Sequence, residues 1–270
     1  MGRTLEATDA GTGRRVRKGP AFFPWPMAYS PWPKNYDAQV SSPFTAKTLS
    51  FLRALKRNND RDWFRARKGD YETHVRAPLI EVVGQLSVDM PRFAPELMVD
   101  PKKSLFRIYR DTRFSEDKSP LKTNAAAVFP PRGLPRHGGA GLYFEIAPDW
   151  TWMGGGLYMP PPAALHAVRA QIASTHPTLQ RIVTAKAFKD ALGELQGDQL
   201  TRVPSGYAKD HPAAQYLRHK QFLGFRELPA EFACSDDFYP ELLRTFKALT
   251  PLVRFLNEAI KSGRPPKLEL

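Results

Sequence analysis

A single cysteine, Cys234, in 270 residues leaves nothing for an internal disulfide, cannot build a metal-thiolate site, and fits a chain kept in a reducing cytoplasm. Long apolar runs are missing too, because no stretch approaches the roughly 18 residues that a membrane helix needs. The opening MGRTLEATDAGTGRRVRKGP carries basic residues without the apolar middle of a secretory signal. Neither G-x-x-x-x-G-K-[ST] nor a strand-to-helix G-x-G-x-x-G is present. The six histidines show no H-x-H or H-E-x-x-H spacing, so no metal or cofactor is expected. Ser115, Ser119 and Ser205 lack a nucleophile-elbow context, and no helix-turn-helix or finger supports sequence-specific DNA binding.

Acidic charge is in short supply as well. Forty Lys or Arg face 27 Asp or Glu, a net charge of +13, of which +3 falls in residues 1–42 and +6 in residues 101–140. A local positive field of this kind attracts phosphates, acidic proteins or anionic surfaces, and speaks to association rather than to fold. Its centre is the run LFRIYRDTRFSEDKSPLKT from Leu105 to Thr123, which sets Arg107, Arg110, Arg113, Lys118 and Lys122 among three carboxylates and three aromatics. Guanidinium forks recognise carboxylates and phosphates in two-point geometry. Such a cluster either binds an external anion or ties itself together through internal ion pairs.

Arg107, Arg110, Asp111, Arg113 and Phe114, then Asp117 and Lys118, then Pro120, Lys122 and Thr123 spell R-x-x-R-D-x-R-F, D-K and P-x-K-T. This pattern resembles the signature of a sparsely distributed bacterial family catalogued as domain of unknown function 2461. The resemblance extends more loosely through the glycine-rich hairpin Trp152 to Pro160 and the segment Gly206 to Phe222 with Asp210, His211 and Pro212. It covers roughly Pro43 to Lys261. It implies no activity, since the family has none assigned. Members usually carry a tyrosine where this chain has Leu121, which argues against any reading that needs a phenol there.

Residues 1–42 include AFFPWPMAYSPWPKNYD, where Pro24, Pro26, Pro31 and Pro33 alternate with Phe23, Trp25, Tyr29 and Trp32. Proline at that density opposes helix and ladder pairing, so this basic arm is expected to be disordered, either as a docking tail or as a loosely packed extension. A single α+β domain is expected over 43–262, with a flexible tail at 263–270. A capping residue at Ser42 or Thr45 precedes Leu49, Phe51, Leu52 and Leu55 at helical spacing. A second helical region from Asp60 is expected to be interrupted near Gly69 and Pro78 and closed by Pro91.

Strand signals follow at Leu105–Tyr109, Ala125–Phe129, Leu142–Ala147 and Trp152–Met159, with separations short enough for an antiparallel meander. Helices are expected after Pro162, from Pro177 towards Leu192, near Pro212–Arg218 and over Ser235–Lys261, with a further strand possible at Phe222–Phe225. The fold class is therefore α+β, a central antiparallel sheet packed by N-terminal and C-terminal helices.

If Leu105–Tyr109 is extended, Phe106 and Ile108 face the core while Leu105, Arg107 and Tyr109 face away. Arg107, Arg110, Arg113, Lys118 and Lys122 are the candidate anion-binding groups, for a phosphate-bearing ligand or a nucleic acid. In a catalytic alternative the same arginines stabilise developing negative charge, with Asp111 or His211 moving protons. In a structural alternative they pair with Asp111, Glu116 and Asp117. His137, in a basic glycine-rich loop, is the other histidine with a possible proton-carrying place. Gly138-Gly139 and Gly154-Gly155-Gly156 either open the backbone to a phosphate or mark bulges and close backbone contacts.

Overall fold

Thr45 stands at the head of the first helix, where the capping spacing predicts it. Its N–H donates to the Thr48 hydroxyl at 3.1 Å, and α1 runs over Ala46–Arg57 with Leu49, Phe51, Leu52 and Leu55 buried. The computed structural model describes residues 41–113, 116–135 and 138–263. The expected arm up to Val40, with Trp25 and Trp32, lies outside the described residues, as do Phe114, His137 and residues 264–270 of the tail. Ser42, counted with the arm above, bonds within the domain instead: its hydroxyl donates to the Ala233 carbonyl at 2.5 Å. Two residues on, Phe44 is buried edge-on against Phe238.

The second helical region divides into α2 (Arg61–Ala66), α3 (Lys68–Tyr71), a π-helical turn (Glu72–Arg76) and α4 (Ala77–Asp89), closed by a 3₁₀ turn at Met90–Arg92. Asp60 caps α2, its carboxylate accepting the N–H groups of Asp62 and Trp63 at 2.8 and 2.9 Å. The interruption near Pro78 has a direct cause. Proline has no N–H for the carbonyl four residues earlier, that of His74. That carbonyl accepts the Thr48 hydroxyl instead, at 2.6 Å, which ties α1 to the break.

The sheet is an antiparallel meander in the order β1 (Ala125–Phe129), β2 (Gly141–Ile146), β3 (Trp150–Leu157) and β4 (Phe222–Pro229). Alternation assigns its two faces. Phe129, Leu142, Phe144, Ile146, Met153, Leu157 and Phe222 are buried on one face, where Phe129 meets Phe246 and Phe144 meets Phe238. Those partners belong to α8 (Phe238–Ser262) and its first turn. The other face carries Tyr143, Glu145, Trp152 and Phe225. A Cβ on Gly154 would lie 2.4 Å from the Gly224 carbonyl oxygen, and one on Gly156, at φ +122°, 2.0 Å from that of Phe222. The glycine run thus serves close strand approach, the second of the two readings given for it.

Between β3 and β4 in chain order come α5 (Pro162–Thr184), kinked at Thr175 just before Pro177, α6 (Lys186–Leu192) and α7 (Ala214–Leu217). A 3₁₀ turn at Ala230–Cys234 leads into α8. No helix among the described residues is long and apolar enough to cross a membrane. One expected strand is corrected. Leu105–Tyr109 forms no continuous strand and makes two isolated bridges, Leu105 with Ala127 of β1 and Tyr109 with Leu121. The chain leaves β1 after the Phe106 N–H bonds Ala126 (3.0 Å) and then pairs with its own return segment, Lys122 N–H to Ile108 at 2.8 Å. Ile108 is buried and Arg107 and Tyr109 are exposed, as alternation required, but Phe106 is only half-buried and packs edge-on to Tyr143.

Candidate functional site

Residues 104–113 and 116–123 run as two paired arms along the edge of β1, held by backbone and side-chain bonds. Arg110 N–H donates to Pro120 at 3.0 Å, and Asn59 exchanges two bonds with Leu121, at 2.9 and 3.0 Å. Leu121 is fully buried in this clasp. Successive residues of an extended segment point to opposite sides, which separates Tyr109 from Arg110.

The five predicted basic groups do not converge on one point. Arg110 pairs with Asp117, a carboxylate that also accepts the Ser119 N–H at 2.9 Å. Asp111 does not pair with Arg110, its neighbour in sequence. It accepts Nε and Nη2 of Arg113 at 3.0 and 2.8 Å, and these bonds together with the Arg113 N–H hold its carboxyl down at about 2. Asp117 is likewise lowered, by the Ser119 hydroxyl and N–H and then by Arg110. Lys118 donates to the Thr112 carbonyl at 3.0 Å, and the Lys122 ammonium sits 4.6 Å above the Phe106 ring. Arg107 is exposed, near enough to Asp111 to contribute to its lowered pKa.

Two residues of the recognised pattern border a common space. Arg110 and Thr123 line one cavity of about 210 Å³ together with Lys56, Asn124, Asp149 and Trp150. Lys56 comes from the last turn of α1 and reaches Asp149 at 2.5 Å; each side chain is about half exposed. Asn124 and Trp150 are fixed from behind by Glu145, a carboxylate 9% exposed on the open face of the sheet. Glu145 accepts the Asn124 amide, the Tyr143 hydroxyl (2.6 Å) and the Trp150 indole N–H (2.8 Å). Burial first, and the Glu145 charge second, push the Tyr143 phenol well above its ordinary range. The cavity therefore offers two cations, a hydroxyl and an amide held by Glu145, with a carboxylate, Asp149 or Asp117, paired to each cation.

Lys56, Asn124 and Trp150 were not among the predicted site residues. Asn124 carried the only available signal, as the residue directly after the P-x-K-T pattern. The predicted proton carriers lie elsewhere. Asp111 is committed to Arg113, and His211 caps a turn, its Nδ1 accepting the Ala213 N–H at 3.0 Å beside His176. Neither lines this cavity. Among the described residues, no group of three His, Cys, Asp or Glu is arranged to hold a metal ion. In the other glycine run, Gly139 sits where a Cβ would meet Asn257 Oδ1 at 2.8 Å, beside the buried Asn257–Ala140 bond pair.

A sequence model of the family described as a conserved hypothetical protein (DUF2461) matches residues 47–255, more than half of the chain. No curated protein and no solved structure matches the sequence.

Proposed function

We propose that this chain, which belongs to the DUF2461 family, recognises a small phosphate- or carboxylate-bearing molecule in the cavity lined by Arg110 and Lys56. The observation that carries the reading is the meeting of Arg110 and Thr123 with Lys56 and Asn124 around one space of about 210 Å³. Both cations are already paired, with Asp117 and Asp149, but those carboxylates are more than half exposed. Exposed ion pairs contribute little and exchange readily, so an incoming anion replaces them and gains the Thr123 hydroxyl and Asn124 amide as well. Glu145 acts as a positioning residue, since its bonds hold Asn124 and Trp150 in place. Towards the tip of the hairpin, Asp111 bonds Arg113 and Lys118 bonds the Thr112 carbonyl, which supports the structural alternative for those residues.

Thermal unfolding with inorganic phosphate, then with phosphorylated and carboxylated small molecules, tests the site. A ligand at about 100 times its dissociation constant adds about 2.7 kcal/mol to stability. The expected result is an upward shift in wild type that Arg110→Ala and Lys56→Ala both remove. An identical shift in both variants would sink the assignment. Strong RNA or DNA binding that weakens steeply with salt, with no response to small anions, would move the reading to nucleic acid.

A further inference from the structure

Arg61, Arg65 and Lys68 recur at spacings of four and three, which sets them along one side of α2 and the start of α3. They line a second cavity, of about 470 Å³, with Phe64 and Tyr109 completing its wall. Three cations and no carboxylate face this space. Arg65 has only Asp62, at 2.8 Å, and both side chains are more than three-quarters exposed. Arg61 and Lys68 make no ion pair among the described residues.

The opposite wall is aromatic and rigidly mounted. Tyr109 is 51% exposed and edge-on to the buried Phe64, with ring centroids 6.1 Å apart. Its backbone is bridged to Leu121, and Asn59 exchanges its two bonds with that same Leu121. Asn59 immediately precedes the cap of α2, so the cationic wall and the aromatic wall are fastened to each other. The volume falls within the range of roughly 300–1,000 Å³ typical of small-molecule sites and exceeds what a lone phosphate requires.

We infer that this cavity binds a free nucleotide, its phosphates on Arg61, Arg65 and Lys68 and its base against Tyr109. Three cations, of which only Arg65 has a carboxylate partner and that one exposed, match a polyanion better than a single carboxylate. An exposed tyrosine on a fixed backbone offers a planar base a stacking surface. The site is separate from the Arg110 cavity, and the two share no lining residue.

Calorimetric titration of the full chain with ATP, pyrophosphate, adenosine and a short single-stranded oligonucleotide tests the inference. ATP is expected to bind about tenfold or more tighter than pyrophosphate, as stacking of one base on an aromatic ring allows, while adenosine does not bind measurably. Tyr109→Leu should bring ATP down to the affinity of pyrophosphate, and Arg61→Ala with Arg65→Ala should lower both by at least about tenfold. Because the Arg110 cavity is read as a site for small phosphates as well, every titration is run in the Arg110→Ala background, where the ATP and pyrophosphate binding that remains reports on this cavity alone. Circular dichroism of each variant confirms that it is folded, and Arg61→Gln with Arg65→Gln repeats the charge test with longer side chains if the alanine pair unfolds. ATP binding no tighter than pyrophosphate, or indifferent to loss of both arginines, would overturn the site. Oligonucleotide binding tighter than ATP at the same residues would overturn the free-nucleotide assignment.

Discussion

Arg226 of β4 and Arg244 of α8 close on Glu241 from a strand and a helix, whereas Arg110 and Arg113 take Asp117 and Asp111 from their own loop. The chemistry is the same and the setting differs. Side chains of the first group are 18–26% exposed, and burial lowers the pKa of both guanidiniums. Those of the second are 29–76% exposed. An arginine locked between two packed elements is committed to the fold, because releasing its partner strands charge away from water. An arginine on a loop can exchange a solvated carboxylate for a ligand at little cost. That difference separates scaffold from candidate site more sharply than residue type does.

The comparison breaks most visibly at Glu241. Glu241→Ala is expected to destabilise by about 3 kcal/mol, the lower end for a broken buried pair, as measured by urea unfolding. A loss below about 1 kcal/mol would mean that the buried cluster holds no more than the loop does. Next comes Glu145→Gln, where a new amide N–H₂ would oppose donors from Asn124, Tyr143 and Trp150. About 2 kcal/mol should be lost, from a buried network left partly unsatisfied, together with a change in Trp150 fluorescence; an unchanged urea midpoint would show that the network relaxes freely.

His219 sharpens the contrast through pH. It is buried, with Nε2 at 3.0 Å from Gln199 Nε2 and Nδ1 at 3.1 Å from the Gln221 carbonyl. That pattern assigns the proton to Nδ1 and leaves Nε2 as the acceptor. Burial lowers its pKa. A depressed folded value means that its contribution is fully present above about 6.5 and is lost as pH falls through the lower folded value. Wild type should therefore lose stability as pH falls below about 6.5, and His219→Asn should flatten that part of the profile. An unaltered slope would assign the loss to other groups. The smallest effect is expected at the loop. Arg113→Ala should leave the urea midpoint where it is, and Arg110→Ala combined with Asp117→Ala should show no coupling in the absence of ligand. Measurable coupling there would make the loop pair part of the scaffold.

Much of the architecture was legible because it is local. The capping spacing at Thr45, the proline breaks at Pro78 and Pro177, and the alternation in Ala125–Phe129 and Leu142–Ile146 act over a few residues. The strand expected at Leu105–Tyr109 failed because a ladder needs a partner over its whole length, and here β1 and the return segment each supply one bridge. β4, expected only to Phe225, runs to Pro229 because β3 pairs with it that far. The cluster's location was readable from its density of charge, but its wiring was not. Adjacent Arg110 and Asp111 invite pairing on paper, yet the backbone directs them to Asp117 and Arg113.

The sequence by itself determined the α+β class, the meander, the lack of an internal disulfide and the place where positive charge gathers, since composition and periodicity are properties of short segments. Only the tertiary structure decided which cations stand beside a cavity. Lys56, Arg110, Asn124 and Trp150 come from a helix, a hairpin, the residue before β1 and the start of β3, and Arg61 and Tyr109 line one space where Asn59 ties the start of α2 to Leu121. Charge along a chain adds up locally, whereas a site depends on which distant side chains packing brings within a few ångströms of one another.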